Sequence, residues 1–251
     1  IVGSSEAGAL NVVVPVLPRI SNHNDFDPLR LHPGVNLTFV GPDQPVPPSD
    51  LIILPGSKST RHDLQWLKQQ GWPEALRKHL RYGGKVLGIC GGFQMLGKWV
   101  EDPGGLEGEV GRTDGLGLLE INTRMVAGKQ LKQVSGILSP CLAASTANIA
   151  MHGYEMHNGV TEGPALTRPF AELNGQPDGA VSDDGQIAGT YVHGLFDAPE
   201  ACDAILTWAG LNQAAAQAVD YQSHRIQQLD RLADHVETCL DTDRLRSLLQ
   251  L

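Results

Sequence analysis

The 251-residue chain lacks several features that would each have pointed to a function class. Its four cysteines (Cys90, Cys141, Cys202, Cys239) are scattered with no C-x-x-C pair, which argues against a disulfide framework or a structural zinc site and suits a reducing cytoplasm. Lys and Arg do not cluster and the formal net charge is −9, so neither nucleic acid nor an anionic membrane is expected as a partner. No apolar run approaches the roughly 20 residues that span a bilayer. No basic and apolar leader pattern opens the chain. Aromatic residues are only 5% of the total, yet 41% are hydrophobic, enough for a substantial core. A phosphate loop of the form G-x-x-x-x-G-K-[ST] is missing as well. Gly56-Ser57-Lys58-Ser59-Thr60 is superficially similar but lacks its first glycine, so ATP chemistry is not expected from this chain.

What is present centres on Lys85–Gly97. A short apolar run ends in Cys90, and Gly91 and Gly92 follow before an apolar-periodic segment. Gly88-x-Cys90-x-Gly92 has the spacing of a nucleophile elbow with sulfur in place of oxygen: strand, sharp turn, helix. Glycines two before and two after let strand and helix approach closely. The first N–H groups of the helix favour a thiolate at such a position. A free cysteine is otherwise most often an inert core residue, but a packed core strand gains nothing from these glycines.

Around this element, apolar runs alternate with amphipathic ones. Strands are expected over 11–17, 35–40, 51–54 and up to Cys90, with helices over 61–70 and 73–82. That alternation implies a mostly parallel sheet covered by helices on both faces, with the ligand crevice at the carboxyl ends of the strands. The loop after the first strand, Arg19–Leu29, is dense in Asn and Asp and reads as turn chemistry. Residues 101–117 read as a glycine-rich surface loop, and 116–126, 129–138 and 147–154 as strands of a mixed extension. The strand over 186–192 leads into His193-Gly194, and 199–209 is helical. Leu229, Leu232, Val236, Leu240, Leu245 and Leu248 stand near helical spacing, so the tail is expected as one or two helices packed on the domain. The division that follows is a linker over 1–10, a catalytic domain over 11–210 and a helical extension over 211–251.

Of nine histidines, His193 is the candidate base, because a strand end beside glycine lets a side chain face the crevice. A Cys–His pair there fits acyl transfer, with Gly91 and the Gly56 loop supplying oxyanion N–H groups.

Several segments together resemble class I glutamine amidotransferases of the cobyric acid synthase type. They are Cys90–Gly97, Gly189–Asp197, Ile53–Lys58, Arg19–Asn22 with Asp25–Leu29, and Gly153–His157. The resemblance implies a flavodoxin-like α/β fold and hydrolysis of L-glutamine, with Cys90 as nucleophile and His193 as base. It places Gly56 and Gly91 at the oxyanion, Gln94 at the glutamine, and Tyr154, Glu155 and His157 in a further substrate-binding motif, with no metal. It also implies that ammonia passes to an ATP-dependent synthetase domain or subunit, where ATP and Mg belong, for amidation of a corrinoid, adenosylcobyrinic acid a,c-diamide. Alternatives are a related glutaminase with another acceptor, a cysteine hydrolase of esters or lactones using Asp178, Asp183 or Asp184, and a non-catalytic docking module. Leu195 stands where the ordinary class I triad carries glutamate. His193 is therefore expected to be oriented by a backbone carbonyl, a water or a partner domain, and the isolated chain to be slow.

Overall fold

The computed structural model describes residues 9–212, 214 and 217–249, so residues 1–8 of the expected linker lie outside the described residues. The first half runs β1 (Leu10–Pro15), a 3-10 turn (His23–Phe26), α1 (Asp27–Leu31), β2 (Val35–Val40), β3 (Leu51–Leu54), α2 (Thr60–Gln69), α3 (Trp72–Arg81), β4 (Lys85–Ile89) and α4 (Gly91–Leu96). There follow β5 (Trp99–Asp102), β6 (Gly111–Asp114), β7 (Asn122–Leu138), β8 (Ala150–Glu162), β9 (Ala171–Leu173), β10 (Gln176–Asp178), β11 (Ala180–Val181), β12 (Ile187–Thr190), β13 (Val192–His193), α5 (Pro199–Trp208), α6 (Tyr221–Cys239) and α7 (Thr242–Leu249).

Six strands form the first sheet in the order β11-β12-β4-β3-β1-β2; only the edge strand β11 is antiparallel. All four residues of β3 are buried, as a central parallel strand requires, and each such aliphatic side chain contributes roughly 1.5–3 kcal/mol. This is the α/β arrangement expected from the alternation of strands and helices. Because β12 pairs in parallel with β4, Thr190 lies opposite Ile89, and the Cys90 N–H donates to the Thr190 carbonyl at 2.8 Å. That register carries residue 193 to residue 90.

The second half differs from the expectation in three ways. Residues 101–117 are not simply a surface loop: they enter β5 and β6, which pair antiparallel. The strands anticipated at 116–126 and 129–138 merge into one, β7, irregular between Met125 and Gln130 and paired antiparallel with β8. The strand leading to His193 breaks at Tyr191: β12 stays in the first sheet, while β13 joins the second by pairing with β8. The break has a polar cause, since Thr190 Oγ1 donates to half-buried Asp178 at 2.5 Å and accepts the Val192 N–H at 3.0 Å.

The buried core runs as far as Leu211. Beyond it α6 makes few attachments: the Tyr221 hydroxyl donates to Asp27 at 3.2 Å, and Gln222 Nε2 donates to Asp197 at 2.9 Å. Ile226, Leu229, Leu232, Val236, Leu240 and Leu248 are all exposed. The expected packing of the tail on the domain is thus corrected for these residues; the Leu245 side chain lies outside the described residues. Among the described residues no helix is long and apolar enough to cross a membrane.

Candidate active site

Cys90 sits at the bend between β4 and α4 with φ 51 and ψ −107, a conformation L-residues rarely adopt and one that costs about 1–3 kcal/mol. The neighbouring glycines make it possible. A Cβ on Gly88 would lie 2.7 Å from the Phe93 N and the Gly92 carbonyl oxygen, and one on Gly92 would collide with the Leu54 carbonyl. Strand and helix therefore meet at backbone distance, leaving Cys90 6% exposed. Its thiol points towards the Met156 carbonyl at 3.8 Å and lies close enough to His193 to act on the imidazole.

His193 is 1% exposed. Burial by itself would lower its pKa, but the hydrogen bonds to Asp25 and Cys90, together with their charges, push it up to about 9. The balance favours the imidazolium. Tyr154 lies opposite it in the β8–β13 pair and stacks on it with ring centroids 5.4 Å apart. The Tyr154 hydroxyl in turn accepts from Asn22 Nδ2 at 2.6 Å.

The residue that sequence reasoning missed is Asp25. Its Oδ2 is 2.7 Å from His193 Nδ1, its Oδ1 accepts the Gly194 N–H at 2.9 Å, and it is 2% exposed. The loop read as turn chemistry does contain a turn, with Asn22 left-handed at φ 52 and the Asp25 N–H bonded to the Asn22 carbonyl. Phe26, fully buried and edge-on to Phe39, anchors that turn. The available signal was position: the loop leaves the carboxyl end of β1, the same sheet edge as Gly56 and Cys90. Leu195, at the place of the usual glutamate, is fully buried. Asp178 serves Thr190 and the Tyr191 N–H rather than the imidazole, and burial pushes it up to about 6. The carboxylate that a hydrolase of the ester or lactone kind would take from 178–184 is thus not the one on His193.

A pocket of about 200 Å³ opens over Cys90, lined by Ser57, Lys58, Thr60, Gly91, Gln94, Glu107 and His157 among others. The Gly56 loop is zipped to Arg19–Ser21, with Ser21 N–H to the Gly56 carbonyl and Lys58 N–H to the Arg19 carbonyl, both 2.9 Å. Gly56 abuts the histidine, since a Cβ there would lie 3.0 Å from His193 Cε1. Gln94 is held at both ends, its Oε1 accepting from Thr60 at 3.1 Å and its Nε2 donating to Tyr191 at 3.3 Å. His157 stacks on Tyr191 at 3.7 Å with Nδ1 2.9 Å from the Gly159 carbonyl. Tyr154 does not line this pocket but another cleft of about 600 Å³, which it shares with Asn24, Gly194, Asp197 and Tyr221. Glu155, half-buried, lies opposite Val192 in the β8–β13 pair, and its charge acts on Asp178.

Residues 11–201 match the profile of the CobB/CobQ-like glutamine amidotransferase domain, and the chain belongs to that family. Its fold is shared with PurLQS from Thermotoga maritima (19% identity, TM-score 0.58, covering 80% of this chain and 99% of that one). It is similarly shared with a glutamine amidotransferase (20%, 0.57, 79% and 98%) and with a structure from Thermoplasma acidophilum described as a GMP synthase subunit (16%, 0.54, 89% and 100%). The chain is a glutaminase-type enzymatic module of an amidotransferase.

Proposed function

We propose that this module hydrolyses L-glutamine through Cys90 and His193 and delivers the ammonia to an ATP-dependent synthetase domain or subunit of the cobyric acid synthase kind. The observation that carries the reading is Cys90 on a strained bend under a small pocket, with the buried His193 beside it and paired to Asp25. Cys90 Sγ attacks the carboxamide carbon, and the resulting oxyanion is met by N–H groups of Gly91 and the Gly56–Ser57 loop. The C–N bond breaks as the imidazolium gives its proton to the leaving nitrogen, releasing ammonia and a thioester. Water, losing a proton to the now neutral imidazole, cleaves the thioester to glutamate. Gln94 and His157 contact the amino-acid part of glutamine, while Tyr154 acts on the histidine, and Glu155 supports the strand behind it.

The motif resemblance and the CobB/CobQ-like family support a corrinoid acceptor, adenosylcobyrinic acid a,c-diamide, in this reading, with ATP and Mg belonging to the synthetase. Ser57, Lys58 and Thr60 line the Cys90 pocket, and Ser57 Oγ donates to Asp63 at 2.6 Å. A reducing cytoplasm suits a chain whose four cysteines are all free. The test is corrinoid amidation with glutamine and ATP by the native full-length polypeptide or with its neighbouring subunit. Amide formation that stops in Cys90→Ser with glutamine, but continues with free ammonia, is the expected result. Amidation of a different acceptor alone would reassign the partner.

A further inference from the structure

We propose that Asp25 is the positioning carboxylate of His193, so that the catalytic group is completed inside this chain by a residue that precedes the nucleophile. The inference rests on the glutaminase reading above and supplies what Leu195 cannot. Both oxygens of Asp25 are engaged, one by His193 Nδ1 at 2.7 Å and one by the Gly194 N–H at 2.9 Å, so the carboxylate is fixed in direction as well as in place. At 2% exposure, a carboxylate of this kind persists only when paired and hydrogen-bonded.

The pairing decides which imidazole nitrogen does chemistry. With Nδ1–H donated to Asp25, Nε2 is the nitrogen left to face Cys90. The ring is restrained elsewhere too, by the Tyr154 face and by Gly56 against Cε1. No backbone carbonyl, water or partner domain is needed to orient it. The residue order is carboxylate, cysteine, histidine, taken from the 3-10 turn after β1, the end of β4 and β13, and geometry rather than order defines such a group. Asp25 itself touches no substrate; it acts through the histidine.

The experiment uses the full chain and Asp25→Asn, with glutaminase kinetics across pH. We expect kcat to fall by about 10³–10⁴-fold, with KM for glutamine changed little. We also expect the alkaline limb of kcat/KM, near pH 9 in the wild type, to move to lower pH because the acceptor holding the imidazolium is gone. An unmoved limb would overturn the proposal, whether kcat is retained or kcat, KM and the melting temperature all change together. A second measurement needs no variant: in ¹H–¹⁵N spectra of the wild-type imidazole, His193 Nδ1 should carry a slowly exchanging, strongly downfield proton. Finding Nδ1 bare, with the proton on Nε2 of neutral histidine, would contradict the pairing directly. If the wild type releases no ammonia from glutamine, the glutaminase reading fails, and the spectrum alone still decides the fate of Asp25.

Discussion

Two regions of this molecule carry strong sequence patterns and have opposite structural outcomes. Around Cys90, glycine spacing and an apolar run specify a bend that packing constrains from several sides: Leu54, Phe93, Met156 and His193 all close on it. Along α6, apolar residues recur just as regularly, yet Ile226, Leu229 and Leu232 stay exposed, and the helix is tied to the domain near its first turn by Tyr221 and Gln222. The difference teaches that periodicity shows which face of a helix is apolar, not whether the chain itself covers that face. Glycine at a close approach is more informative, because it states that backbone already occupies the place of a Cβ.

The contrast can be broken or sharpened by experiment. The largest effect is expected at Cys90: Cys90→Ser should lower glutamine-dependent ammonia release by about 10⁴-fold or more, read by coupled ammonia assay. Retained release would show the bend to be structural only. Next, Gly92→Ala forces a Cβ into the Leu54 carbonyl and should cost about 3 kcal/mol. A urea midpoint unchanged from wild type would mean that strand and helix are not in backbone contact. The third is a pH effect. His193 has a folded-state pKa raised from 6.5 to about 9. Its contribution to stability is therefore complete below about pH 6.5 and lost as pH rises through about 9. The urea midpoint should decline across that window in the wild type and less so in His193→Asn; identical declines would remove the histidine as the cause. The smallest effect is expected on the tail, where Leu229→Lys should shift stability by less than about 0.5 kcal/mol. A large loss would mean that the apolar stripe of α6 is packed in solution.

Much of this was legible beforehand because it depends on local chemistry. Val35–Val40 and Leu51–Leu54 are the strands their apolar runs indicate, and Cys90 lies on the bend its glycines require. The remainder depends on contacts between distant segments. Asp25 stands in a segment that reads as a turn and resembles a family motif, but its role emerges only when the turn after β1 and strand β13 bring residues 25 and 193 within 2.7 Å. The break at Tyr191 was hidden for a similar reason, since the half-buried Asp178 that holds Thr190 belongs to another strand. The position where a triad glutamate is customary holds Leu195, which packs in the core, so inspection there shows a gap that the fold fills from elsewhere.

The two regions also each hold a free cysteine, and this allows the most direct test. Cys90 is buried beside an imidazole under a pocket, whereas Cys239, at the end of α6, is exposed. A diazo-ketone analogue of glutamine should be incubated with the protein and the adduct mapped by mass spectrometry. The account predicts one adduct, on Cys90, abolished by excess glutamine and absent from Cys90→Ser. Labelling of Cys239, Cys141 or Cys202 in its place, or no labelling at saturating reagent, would contradict it.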